Sequence, residues 1–101
     1  MAYETVMGLQ VGDAKTYDEY RAGMKPILKK YGGGFRYDFW VKETLLSETE
    51  HPINRVFILY FADKSSRDKF FADPEYIEVR KKYFNPSVSS ITTIAAYERK
   101  V

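Results

Sequence analysis

Val56-Phe57-Ile58-Leu59-Tyr60-Phe61 is a run of six consecutive apolar residues. A strand points successive side chains to opposite faces, so an unbroken apolar run implies burial on both faces. A chain of 101 residues with few helices covers only one of them. The other must meet a second subunit, a ligand or both.

Upstream of this third strand (Asn54 to Ala62), Ser47 to Pro52 reads as a polar connection. Before it, Phe35 to Leu46 reads as a long second strand. Phe35, Tyr37, Phe39 and Val41 fall on one face, and Arg36, Asp38, Trp40 and Lys42 on the other. Gly32-Gly33-Gly34 stands after an apolar stripe of Tyr17, Tyr20, Met24, Ile27 or Leu28, and Tyr31, whose three- and four-residue steps predict helix one. Glycines behind a helix supply a left-handed C-cap; a phosphate cradle needs them in front of one. Helix one opens either at Asp13 as N-cap or at Thr16 with Glu19 as a capping box, and Pro26 predicts a kink or a new first turn inside it. Tyr3 to Val11 alternates with period two and is strand one. Downstream, Asp63-Lys64-Ser65-Ser66 caps a short helix through Phe71, which Asp73-Pro74 restarts. Asn85-Pro86 ends that segment. Ser87 to Glu98, rich in Val, Ile and Thr, is the last strand, and Arg99-Lys100-Val101 forms a tail.

The order is βαββαβ over a single domain, residues 1–101. Right-handed crossovers place both helices on one side of a four-stranded antiparallel sheet, a ferredoxin-like α+β fold. The helix-covered set is expected to be Thr5, Met7, Leu9, Tyr37, Phe39, Phe57, Leu59 and Phe61. The open face then carries Glu4, Val6, Gly8, Gln10, Arg36, Asp38, Trp40, Val56, Ile58 and Tyr60. Leaving groups such as Val56, Ile58 and Trp40 in water forgoes roughly 1.5 to 3 kcal/mol each. A homodimer closed through this face is expected.

Composition narrows the function classes. Lys and Arg number 16 against 14 Asp and Glu, a net charge of +2 that gives no strong field for nucleic acid or anionic membrane. RNA-recognition modules share the element order, but the third strand lacks their Gly-containing basic and aromatic signature, so no nucleic-acid partner is expected. The absence of cysteine excludes disulfides and thiolate chemistry and suits a reducing cytoplasm. No apolar stretch approaches spanning length and no leader is legible, so a cytoplasmic protein without a membrane partner is expected. The single histidine, His51, sits in the polar connection. With Glu48 and Glu50 it makes no metal-ligand spacing, so neither a metal nor a cofactor is expected.

Val11-Gly12-Asp13 with Tyr17-Asp18-Glu19-Tyr20, Pro26 with Tyr31-Gly32-Gly33-Gly34-Phe35, and Phe70 with Asp73-Pro74-Glu75-Tyr76 together resemble the bacterial domain-of-unknown-function family 1330. The resemblance spans nearly the whole chain, but its motifs are caps and stops. It implies a dimeric α/β barrel, two sheets facing each other around a cleft. Relatives in that wider superfamily include cofactor-independent monooxygenases, haem-degrading oxygenases and small isomerases, each using the cleft beneath the sheet. The family pattern has an acidic residue on the open face of strand one where this chain has Gly8, and a basic one where it has Asp38. No family polar pair carries over, and Gly8 leaves space in the cleft.

In an enzyme of that kind Trp40, Tyr60, Gln10, Gly8 and Ile58 would line the ligand cleft, the aromatic groups holding a flat substrate. Asp38 would be the base and Arg36 its charged companion, with Asp38 needing burial to raise its pKa. The bland alternatives are an Arg36–Asp38 interface salt bridge and Trp40 as an interface anchor. The functional expectation is a homodimer with a small-molecule cleft, such as a cofactor-free monooxygenase or isomerase on an aromatic or carbonyl-bearing substrate. Its alternative is a non-catalytic metabolite-binding or structural dimer.

Overall fold

The alternating N-terminal segment forms β1 (Ala2–Val11), and Gly12-Asp13 turns the chain into α1 (Ala14–Lys30). The computed structural model describes residues 1–100, so Val101 of the expected tail lies outside the described residues. Of the two start signals, Asp13 is the cap. Its carboxylate accepts the Thr16 amide at 3.1 Å and the Thr16 hydroxyl at 2.7 Å, satisfying donors that a first turn leaves unpaired. α1 buries Tyr17, Tyr20, Met24, Ile27 and Leu28 and continues through Pro26 without a new first turn. Pro26 lies on the exposed side, where water can serve the carbonyl that loses its partner. The helix ends as the glycine run predicts. Gly32 takes φ +72°, and the amides of Gly32 and Gly33 return to the carbonyls of Lys29 and Leu28, both at 3.0 Å.

β2 (Gly34–Trp40) is shorter than expected, because residues 41–54 leave the sheet as a loop before β3 (Arg55–Phe61). Asn54 pins the end of this loop, its side chain exchanging two hydrogen bonds with the backbone of Val11 at 2.7 and 2.8 Å. Asp63 then caps α2 (Lys64–Ala72) and Asp73 caps α3 (Pro74–Val79) through the amides of Glu75 and Tyr76. A π-helical turn, Arg80–Phe84, and a last short helix, α4 (Asn85–Ser87), lead into β4 (Val88–Arg99).

The four strands lie in the order β2-β3-β1-β4 with every neighbouring pair antiparallel, the ferredoxin-like βαββαβ arrangement. Phe57, Leu59 and Phe61 of β3 bury against the helices and join Tyr17, Phe70 and Tyr76 in the core. Their alternation with Val56, Ile58 and Tyr60, all half-buried, is the two-sided apolar run seen in the sequence.

Register overturns the expected face assignment of β2 beyond Arg36. Across β2 and β3, Phe35 lies opposite Leu59, but Tyr37 lies opposite Ile58, so Arg36 is an extra residue in a β-bulge. One inserted residue shifts a period of two by half a cycle. Tyr37 and Phe39 therefore face the open side, while Asp38 and Trp40, opposite Phe57 and Arg55, face the helices. A second irregularity on β4 falls at Ile94, between the pairs Val6–Ala95 and Met7–Thr93.

Candidate ligand sites on the two faces of the sheet

The open face is apolar over its middle rows and gathers its charge at one end, around Glu4. Tyr37, Phe39 and Ile94 are 57%, 54% and 51% exposed, with the Tyr37 and Phe39 rings stacked at 5.6 Å. Loop 41–54 stands off the sheet and leaves a cleft of about 750 Å³ lined by Val41, Leu45, Leu46, Ile53, Val56 and Ile94. Gly8 sits beneath it. A Cβ there would lie 2.8 Å from Ile53 Cδ1, so the space expected above Gly8 is filled by this chain's own isoleucine. Gln10 lies at the β4 side opposite Ser90, and Ile58 lies between Val6 and Tyr37. Thr92 Oγ1 is buried without a partner among the described residues.

Arg36 and Tyr60 are brought together here, with Glu4 as their hub. The Glu4 side chain has no exposed surface. It accepts Arg36 Nε–H at 3.0 Å and the Tyr97 hydroxyl at 2.9 Å, with Arg99 at 3.6 Å. The Arg36 guanidinium lies 3.9 Å from the centre of the Tyr60 ring. Burial pushes the Glu4 pKa up, but the hydrogen bonds from Arg36 and Tyr97 and the charges of Arg99 and Arg36 outweigh it. The carboxyl is held below its ordinary value. Sequence reasoning placed Glu4 on this face without a role; its partner Tyr97 is 93 residues away and carries no local signal.

Asp38 and Trp40 stand apart from this group. Asp38 accepts two hydrogen bonds from Arg55, at 2.7 and 2.8 Å, and pairs with Arg21 of α1 at 2.9 Å. Trp40 receives the Arg55 guanidinium at 4.3 Å from its ring. The hydrogen bonds of Asp38 are also the main cause that raises the Arg55 pKa, while burial lowers it. Asp38 is thus a structural acceptor tying β2 to β3 and α1, and the expected Arg36–Asp38 pair does not form.

Between the sheet and the helices lies a cavity of about 300 Å³, which the sequence reading did not anticipate. Rings of Tyr17, Phe35, Phe57, Phe71, Tyr76 and Phe84 line it, with Arg67 and Arg80 among its walls. Burial pushes the Tyr17 hydroxyl up to about 12 and that of Tyr20 well above its ordinary value, so both stay protonated donors. No carboxylate or histidine lines the space among the described residues. Nor does any group of three His, Asp or Glu side chains there form a cation site.

Comparison with known proteins agrees with the fold and stops there. The model of a domain of unknown function, DUF1330, matches residues 2–97. No curated protein matches. A solved protein of unknown function from Rhodopseudomonas palustris superposes with a TM-score of 0.81 at 15% identity, covering 99% of this chain and 83% of that one. A dabb family protein with a ferredoxin-like fold from Mesorhizobium loti gives 0.69 at 14%, covering 99% and 98%. A nipsnap family protein of unknown function from Agrobacterium tumefaciens gives 0.64 at 20%, covering 96% and 86%. At such identities the likeness is one of fold. Among the described residues no helix is long and apolar enough to cross a membrane.

Proposed function

Because the chain belongs to the DUF1330 family, which carries no assigned activity, we propose from its geometry that it is a homodimeric small-molecule-binding protein. Its ligand is a flat, largely apolar molecule held between the sheet and the helices. The observation that carries this reading is the aromatic-lined cavity of about 300 Å³, at the lower end of the volumes that small-molecule sites occupy. The open face supports the second copy. Leu45 and Leu46 are 88% and 93% exposed beside Tyr37, Phe39 and Ile94, a patch rimmed with polar groups of the kind that marks an interface.

Binding is favoured over turnover. A cofactor-free oxygenase or isomerase would need a base against its substrate. The carboxylate expected in that role, Asp38, is engaged by Arg55 and Arg21, and burial keeps the hydroxyls of Tyr17 and Tyr20 protonated.

The test is a titration with 2-naphthylmethanol followed by methyl resonances, together with light scattering. We expect shifts concentrated at Met7, Met24, Leu9 and Leu59, which line the cavity, and a mass twice the 11.8 kDa chain. Shifts spread over outer surfaces, or none, would remove the cavity as the site. A monomer at micromolar concentration would remove the dimer.

A further inference from the structure

Aromatic walls alone would admit any apolar molecule, yet this cavity also carries hydrogen-bond donors and positive charge with nothing to receive them. Tyr20 and Tyr76 both line the space, and their hydroxyls lie 2.9 Å apart. Within such a pair one O–H donates to the other oxygen, so the second hydroxyl hydrogen has no acceptor among the described residues. These side chains are 6% and 2% exposed, too deep for bulk water to serve that hydrogen freely. Arg80 adds the charge. It lines the same cavity half-buried, its guanidinium 4.9 Å from the Phe84 ring centre. It makes no ion pair among the described residues. Arg67, the other cation of the walls, is engaged by Asp68 at 3.1 Å.

The backbone singles out the same spot. Arg80 opens the π-helical turn that ends at Phe84, where the Asn85 amide returns to the Arg80 carbonyl. Such turns are rare and occur often at functional sites. Here the turn carries both Arg80 and Phe84, one wall cation and one wall ring.

We infer that the cavity selects an aromatic molecule bearing one anionic oxygen group, a carboxylate or a phenolate, which Arg80 pairs with and the free hydroxyl of the Tyr20–Tyr76 pair donates to. This rests on the cavity being the ligand site. The ring of the ligand lies among Tyr17, Phe57 and Phe84, and its anionic end lies toward Arg80. A guanidinium and a protonated hydroxyl on one oxyanion form charge-assisted hydrogen bonds, the strong class of polar contact.

The experiment compares 2-naphthoate with the neutral 2-naphthylmethanol by calorimetric titration of the whole chain, in the natural sequence and in Arg80→Met and Arg80→Lys. Naphthoate is expected to bind roughly ten-fold or more tightly than the alcohol, to lose about that factor in Arg80→Met, and to regain most of it in Arg80→Lys. The loss is read as the ratio of naphthoate to alcohol affinity within each protein, and melting curves of the three report that the fold is kept. Equal affinity for both probes, or naphthoate binding indifferent to Arg80→Met, overturns the anion selectivity and leaves the cavity standing. Failure of both probes to bind the natural sequence removes the cavity itself and this inference with it.

Discussion

Arg55 is 5% exposed and fully charged, and Asp38 is what makes that tolerable. A buried guanidinium stripped of its acceptor is left with the desolvation cost and no compensation, a loss of about 3–5 kcal/mol in comparable pairs. Asp38→Ala should therefore lower the melting temperature by on the order of 10 °C or more and leave ligand affinity little changed. A thermal scan that hardly moves would mean that Arg55 finds other partners. Glu4 has the same logic in titratable form. Its folded pKa lies below the ordinary value of 4.5, so its contribution is complete above that value and disappears as pH falls through the folded pKa. The natural protein should lose melting temperature steeply between about pH 5 and pH 3. Glu4→Gln should start lower at neutral pH and fall less over that interval. Parallel curves for the two would exclude Glu4 from the acid response.

At the level of elements, the aspartate caps and the glycine stop were legible; registers were not, and neither was the last stop, since the helical segment runs through Asn85-Pro86 to Ser87. Asp13, Asp63 and Asp73 announce their helices because each acts on amides two or three residues ahead. The glycine run shows how one local signal can hide separate causes. Gly32 is needed for its left-handed φ. Gly33 and Gly34 are needed for space, since a Cβ would stand 2.6 Å from Leu28 Cδ1 in one case and 2.6 Å from the Tyr60 hydroxyl in the other. Nothing local announces the bulge at Arg36. It is a mismatch between two strands, Phe35 held opposite Leu59 and Tyr37 opposite Ile58, and each strand alone still reads as an unbroken alternation. That mismatch exchanged Asp38 and Trp40 for Tyr37 and Phe39 on the open face.

For the whole molecule, the exchange makes the open face more apolar than expected and moves its charge to the Glu4 hub. Two stacked rings now stand at the β2 edge, with Ile94 on the far strand and Leu45 and Leu46 on the loop between β2 and β3. Covering one such ring in a second copy is worth roughly 1.5 to 3 kcal/mol. Phe39→Glu should accordingly abolish the proposed dimer in light scattering. It should also remove the rise of melting temperature with protein concentration that association imposes. A Phe39→Glu protein that keeps the mass and melting behaviour of the natural one would place the contact elsewhere.

What the amino-acid order determined by itself was the element sequence, the aspartate caps and glycine stop, the ferredoxin-like fold and the two apolar sides of β3. Each depends on spacing within a few residues or on a period repeated along one strand. Only the tertiary structure decided which face Asp38 and Trp40 take, that Glu4 is a hub for Arg36, Tyr97 and Arg99, and that aromatic rings line a cavity with Arg80 in its wall. These depend on register and on side chains converging from five or more elements, and no period along the chain records how far apart two packed layers will stand.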